Sequence, residues 1–297
     1  MSQEDGESPQ LLTLTAGALD LAVWDWPGDD PPLLFAHATG FHGRCWDQVA
    51  SRFPGRRRLA VDFRGHGRSS KPAPPYPWQP FAGDLAAIAD ALYLHGCLGV
   101  GHSMGGHSVV AAALLHPNLF SALLLIDPTI FSPERYDDRP FDANFIRRRR
   151  AVFASPEEMW ERFHRRPPFV DWHPAVLRDY CRFGLLPSDG RFVLACPPDV
   201  EASIYEHSKE PASNLHSAIP SLQLPVVIIR AGVSYRPDVF DLYASPTAPD
   251  LAARFPHGRD VLLPDRDHFI PMQSPELVAD WIGRLLARQA QVLSKEY

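Results

Sequence analysis

A serine flanked by glycines sits in Val100-Gly101-His102-Ser103-Met104-Gly105-Gly106. A serine hydroxyl attacks a carbonyl only when a base takes its proton, a third group orients that base, and N–H donors meet the developing oxyanion. The G-x-S-x-G spacing meets the first need. Its glycines permit a strained strand-to-helix turn that exposes the hydroxyl. The base must come from elsewhere. The chain has 13 histidines, and a lone histidine is usually structural. His268, in Asp267-His268-Phe269-Ile270-Pro271, instead lies between the last strand and the last helix, where a base can close onto Ser103.

These residues need elements to hold them. Leu11–Thr15 and Leu19–Trp26 alternate apolar and polar residues, which predicts an opening antiparallel strand pair. Leu33–His37, Arg58–Phe63, Cys97–Gly101 and Ala122–Ile126 read as buried strands. Helical patterns fall between them at Trp46–Phe53, Asp84–His95 and Gly105–Leu115. Ser103 thus stands between a strand and a helix, the context the motif requires. The βαβαβ alternation predicts an α/β fold with a mostly parallel sheet and helices on both faces.

From about Ser132 to Pro220 no clear buried strand is legible. Helices are expected at Phe141–Phe153, Ser155–His164 and Pro174–Phe183. Ser155-Pro156-Glu157-Glu158 has an N-cap serine, proline at the first helical position and glutamate at the third. The sheet resumes at Pro225–Arg230 and Asp260–Leu263, and Pro275–Arg288 closes as an amphipathic helix. Three segments follow: core residues 1–131, an inserted helical cap over 132–220, and core residues 221–297.

Composition narrows the class. The chain has 297 residues, 45% hydrophobic and 22% charged, with a net charge of −6. That balance is ordinary for a globular enzyme and lacks the basic footprint of a nucleic-acid binder. No stretch approaches the ~18 apolar residues of a membrane span, and the acidic start Met1–Glu7 is unlike a secretory signal. Cys45, Cys97, Cys181 and Cys196 show no CxxC or zinc spacing. Reduced thiols and a cytoplasmic setting are expected, with no metal, no cofactor, and a monomer or homodimer as the unit.

Four motifs in order resemble the α/β-hydrolase superfamily over nearly the whole chain. They are His37-Ala38-Thr39-Gly40-Phe41 with Trp46, Asp62-Phe63-Arg64-Gly65-His66-Gly67-Arg68-Ser69, Gly101–Gly106, and Asp267–Pro271. The first ordinarily reads His-Gly-x, and Ala38 replaces that glycine. The resemblance implies an eight-stranded sheet and an oxyanion hole formed by the backbone N–H groups of Thr39 and Met104. It places Phe41 and Met104 at the substrate. His37 enters the same loop as a substrate neighbour or, preferably, as a strut.

The acid has two candidates. The commonest family arrangement puts it after the strand that follows the cap, as Gly-x-x-Asp. Here Tyr235 holds that position, and Asp238 comes three residues late. Another branch puts it after the strand following the nucleophile helix, where this chain has Ile126-Asp127-Pro128. A triad is defined by geometry rather than order, and Asp127 is preferred. Asp265 and Asp267 are too close to His268 along the chain.

Dehalogenases and epoxide hydrolases of the superfamily use aspartate as nucleophile, so Ser103 points to carbonyl chemistry instead. The expectation is a serine hydrolase of small or medium carboxylic esters. The alternatives are a C–C bond hydrolase acting on a diketone, and a non-catalytic small-molecule receptor. Cap aromatics Phe145, Phe153, Trp160, Phe163, Phe169, Trp172, Tyr180 and Phe183 are expected mostly in the cap's own core. Arg147–Arg150 is expected to be solvated with local ion pairs. An inward-facing arginine there would favour an acidic substrate group.

Overall fold

Successive side chains of a strand point to opposite faces, so an apolar run without polar breaks must be buried on both sides. Leu34 and Ile228 join one core, while Leu33, Phe35, Val227 and Ile229 join the other. The computed structural model describes residues 8–137, 141–233 and 241–293 and shows the sheet these runs require. Its strands are β1 (Gln10–Ala16), β2 (Leu19–Trp26), β3 (Asp29–Ala36), β4 (Arg56–Asp62), β5 (Cys97–His102), β6 (Phe120–Ile126), β10 (Val226–Ala231) and β11 (Gly258–Leu263). The remaining three, β7 to β9, belong to the segment between β6 and β10 and are described below. The spatial order is β1-β2-β4-β3-β5-β6-β10-β11. Only β1–β2 and β2–β4 pair antiparallel; the other neighbours are parallel.

Helix α1 (Gln79–Leu92) buries Phe81, Leu85 and Ile88 on one face of the sheet, beside α2 (Met104–Leu115). The closing helix α6 (Pro275–Leu293) buries Val278, Ile282 and Leu285 on the other, against Phe35, Trp46 and Val100. All four cysteines are buried free thiols. Among the described residues no helix is long and apolar enough to cross a membrane.

Between β6 and β10 lie α3 (Pro156–Phe163), α4 (Pro174–Phe183) and α5 (Pro198–Glu206). The Ser155 hydroxyl accepts from the Glu158 N–H, as the capping pattern predicts. Two features differ from expectation. The helix expected over Phe141–Phe153 is confined to Asn144–Arg147. Beyond it, Val152–Phe153 forms strand β7, pairing with β9 (Arg191–Leu194), which also pairs with β8 (Leu185–Ser188). The β8–β9 turn is Asp189-Gly190, both left-handed at φ 47° and 72°. Asp-Gly is the preferred pair for such a hairpin turn and was the available signal for these strands. Phe153, Met159, Trp172, Val176, Tyr180 and Leu194 build a third core, which reaches the main domain through Cys45, Phe269 and Met272.

Candidate active site

Ser103 occupies the sharp turn between β5 and α2, with φ 55° and ψ −120°. A non-glycine residue held there is strained, and the surroundings must fix it. Its N–H donates to the Ile126 carbonyl at 3.1 Å, and its carbonyl accepts from the N–H groups of Thr129 (3.0 Å) and His107 (3.2 Å). Close packing completes the turn. A methyl group at Gly105 would lie 2.2 Å from the Ala36 carbonyl oxygen, and one at Gly106 would lie 2.7 Å from Pro128 Cβ. Gly105→Ala is therefore expected to cost about 1–3 kcal/mol of stability, the range for overpacking. A urea unfolding midpoint unchanged by the substitution would contradict this.

His268 lies beyond β11, in the turn that leads into the short helix Ile270–Gln273. Its Nε2 lies 2.9 Å from Ser103 Oγ, and its Nδ1 lies 2.6 Å from Asp127 Oδ2. Asp127, fully buried and left-handed at φ 43°, directly follows β6. Its other oxygen accepts from the Ala231 N–H at 3.0 Å and from the Ser245 hydroxyl at 2.5 Å, while the Thr247 hydroxyl, 3.3 Å away, donates to the Pro128 carbonyl at 2.7 Å. A buried carboxylate needs such donors. Asp127 N–H itself donates to the Ile229 carbonyl at 2.7 Å, so the residue bridges β6 and β10. The other acid candidate, Asp238, lies outside the described residues.

Several contacts were not legible in the sequence. Thr129 Oγ1 sits 3.0 Å from Ser103 Oγ. The His102 ring lies with Nε2 2.8 Å from the His268 carbonyl, tying the His268 backbone to the turn that carries Ser103. His102 had a signal, as the residue before the serine. Ser245 and Thr247 had none, since they reach Asp127 across more than a hundred residues of chain.

The loop after β3 carries Thr39. The carbonyls of Ala36 and His37 press against Gly105, which brings this loop to the start of α2, beside Met104. Neither the Thr39 nor the Met104 N–H donates in the backbone network of the described residues. Buried histidines hold the loop. The Gly40 N–H donates to His66 Nε2 at 3.0 Å, and the Phe63 N–H to His37 Nε2 at 3.1 Å. Both acceptors must be neutral. Burial pushes His37 down to about 4 and His66 well below the ordinary histidine range.

A cavity of about 450 Å³ opens beside this loop. Thr39, Gly40 and Phe41 line it, as does Phe269, the residue after His268. Phe41 stacks on Trp172 at 5.7 Å and meets Tyr180 at 5.4 Å. His37 does not reach the cavity. It is 1% exposed with both ring nitrogens engaged, so the loop-strut reading replaces substrate contact. Most of the aromatics expected in the core of this segment do pack there: Phe153, Trp172 and Tyr180 within it and Trp160, Phe163 and Phe169 against it. Phe153, Phe163, Phe169, Trp172 and Tyr180 line the cavity while packing together, because one layer of rings forms both core and wall. Among the described residues no group of three or more His, Cys, Asp or Glu side chains could hold a metal ion.

Comparisons with known proteins agree with this architecture. A 2-(acetamidomethylene)succinate hydrolase of Mesorhizobium japonicum is 28% identical over 254 residues, 84% of this chain and 86% of that protein. An sn-1-specific diacylglycerol lipase of Danio rerio is 32% identical over 125 residues, and that match spans 40% of this chain and 38% of the lipase. Among solved structures, an E-2-(acetamidomethylene)succinate hydrolase superposes with a TM-score of 0.74 at 24% identity, covering 94% of this chain and 99% of that one. A family model described as "Alpha/beta hydrolase family" matches residues 33–281. On that span, this chain belongs to the alpha/beta hydrolase family and is an enzyme of that family.

Proposed function

We propose that the chain is a serine hydrolase that cleaves carboxylic esters of small or medium size through an acyl-enzyme. The observation that carries this reading is the unbroken chain from Asp127 through His268 to Ser103, at 2.6 and 2.9 Å, beside an aromatic cavity. In the first half-reaction His268 Nε2 takes the Ser103 proton as Oγ bonds to the ester carbonyl carbon. The oxyanion is met by the N–H groups of Thr39 and Met104. The C–O bond then breaks, and His268 returns the proton to the departing alcohol. Water repeats the sequence on the acyl-enzyme, with His268 again taking and returning one proton. Asp127 holds the imidazole in the tautomer that presents an unprotonated Nε2 to Ser103. Thr129 can donate to Ser103 Oγ while that oxygen donates to His268, which fixes the hydroxyl's rotamer.

A short-chain p-nitrophenyl ester, hydrolysed by wild type and by Ser103→Ala, tests the reading. Removing the nucleophile of a triad costs up to about 10⁶ in kcat, so the variant should fall to background. Equal turnover in the two proteins would reject Ser103 as nucleophile. No turnover of any ester by wild type would favour a receptor or a C–C bond hydrolase.

A further inference from the structure

The cavity wall combines an aromatic part with a cluster of arginines. Phe41, Phe153, Phe163, Trp172, Tyr180 and Phe269 make its aromatic part. Four arginines, Arg148, Arg149, Arg150 and Arg162, share the lining with a single acid, Glu201. Two of the four are neutralised locally. Arg149 meets the buried Glu201 carboxylate at 2.5 Å, and Arg150 pairs with Glu158 while its Nε donates to the Val152 carbonyl at 2.7 Å. Arg148 and Arg162 have no carboxylate partner among the described residues. They come from different elements, the turn after Asn144–Arg147 and helix α3, and converge on one cavity.

This excess runs against the rest of the molecule. A chain of net charge −6 gives no general attraction to anions. Two unpaired guanidiniums over a low-dielectric aromatic wall create a local exception, and guanidinium geometry matches a carboxylate with two parallel N–H···O bonds. Resting on the esterase reading above, we propose that the natural substrate is an amphipathic anion, an ester with an apolar or aromatic body that ends in a carboxylate bound by Arg148 and Arg162. The aromatic wall takes the body and the arginines take the charge, so the scissile carbonyl is oriented from its far end. Arg149 serves differently. Its ion pair holds Glu201, whose carboxylate would be 2.8 Å from a methyl group at Gly40, against the loop that carries Thr39.

The test reads binding and turnover separately. Trp172 lines the cavity, so tryptophan fluorescence reports occupancy in titrations of wild type with 4-phenylbutanoate and with its neutral amide. The acid should bind at least about tenfold tighter than the amide, a difference of about 1.4 kcal/mol. Raising salt should shrink that ratio. In the double variant Arg148→Ala/Arg162→Ala the ratio should collapse towards one. Both side chains are exposed, and circular dichroism verifies the fold. Equal affinity for acid and amide in wild type, or a ratio retained in the double variant, would overturn the proposal. In parallel, mono-p-nitrophenyl glutarate and p-nitrophenyl valerate are compared as substrates. A binding preference without turnover of either ester keeps the anion site and removes the esterase reading. Turnover of both esters at equal kcat/KM, with no binding preference, does the reverse.

Discussion

Asp127→Asn is expected to lower kcat for ester hydrolysis by about 10⁴, the loss found when a triad aspartate becomes an amide and its histidine is left in the wrong tautomer. Asp127 Oδ2 accepts from His268 Nδ1 at 2.6 Å, and Oδ1 already takes two donors. The new amide therefore has its carbonyl claimed by the Ala231 N–H and the Ser245 hydroxyl. Its NH₂ is left to face His268, where it stabilises the tautomer that protonates Nε2. That form cannot accept the Ser103 proton. Asp238→Asn should leave kcat within about twofold, since the buried donors converge on Asp127. Measuring kcat for both variants on one p-nitrophenyl ester decides between the acids. A collapse in Asp238→Asn with Asp127→Asn active would reverse the assignment.

The melting temperature is expected to fall steeply as pH drops from 6.5 towards 4. Burial drives His37, His42 and His107 from 6.5 down to about 4, and His66 and His102 well below 6.5. Below pH 6.5 the unfolded chain binds protons that the fold refuses, so stability that is complete above 6.5 is lost as pH falls towards the folded values. A shift of 6.5 − 4, or 2.5 units, at about 1.4 kcal/mol per unit is roughly 3 kcal/mol for each of the first three. Whole domains have only about 5–15 kcal/mol to lose. Asp47, raised to about 6 by burial, and Asp84, Asp179, Glu201 and Asp267, also raised by burial, oppose this, because the fold protonates them before the unfolded chain does. The three histidines lowered to about 4, together with His66 and His102 well below 6.5, set the direction of the net change. Thermal melts followed by circular dichroism between pH 7.5 and 4 give the slope. His107→Gln keeps a donor for the Ser213 carbonyl, which His107 Nε2 meets at 2.8 Å, and should make the slope shallower. A melting temperature flat between pH 6.5 and 5 would contradict the account.

The sheet was readable because buried parallel strands are continuous apolar runs. Cys97–Gly101, Ala122–Ile126 and Pro225–Arg230 each fall within a residue or two of the observed strand. Ser103 and His268, the proposed nucleophile and base, were readable because a strand–turn–helix context and chain order constrain them. The proposed acid was preferred in the sequence only by its place after a strand, and the donors that hold the Asp127 carboxylate, Ala231 and Ser245, lie far off along the chain. The segment between β6 and β10 was harder for another reason. A two-residue strand such as Val152–Phe153 has no period to detect, and the sheet exists only because β9 supplies its partner. The arginine run was judged from helical geometry, yet only Arg147 is helical. The chain leaves the helix at Arg148, which lets three successive arginines reach the cavity lining.

Strands β6 and β10 run side by side with Ile126 opposite Ile229, and Asp127 is bonded to backbone on both sides of that seam. The position a carboxylate must occupy to steady the imidazole is therefore reachable from the end of either strand. For a lineage that changes which strand supplies the acid, the route is short. A second carboxylate can arise at the neighbouring strand end while the first still functions, and the first can then be lost. No ancestor on that path need lack a carboxylate beside the imidazole. On the proposed assignment of Asp127 as the acid, the chain beyond β10 carries one demand at the site, that the Ser245 hydroxyl still reaches Asp127.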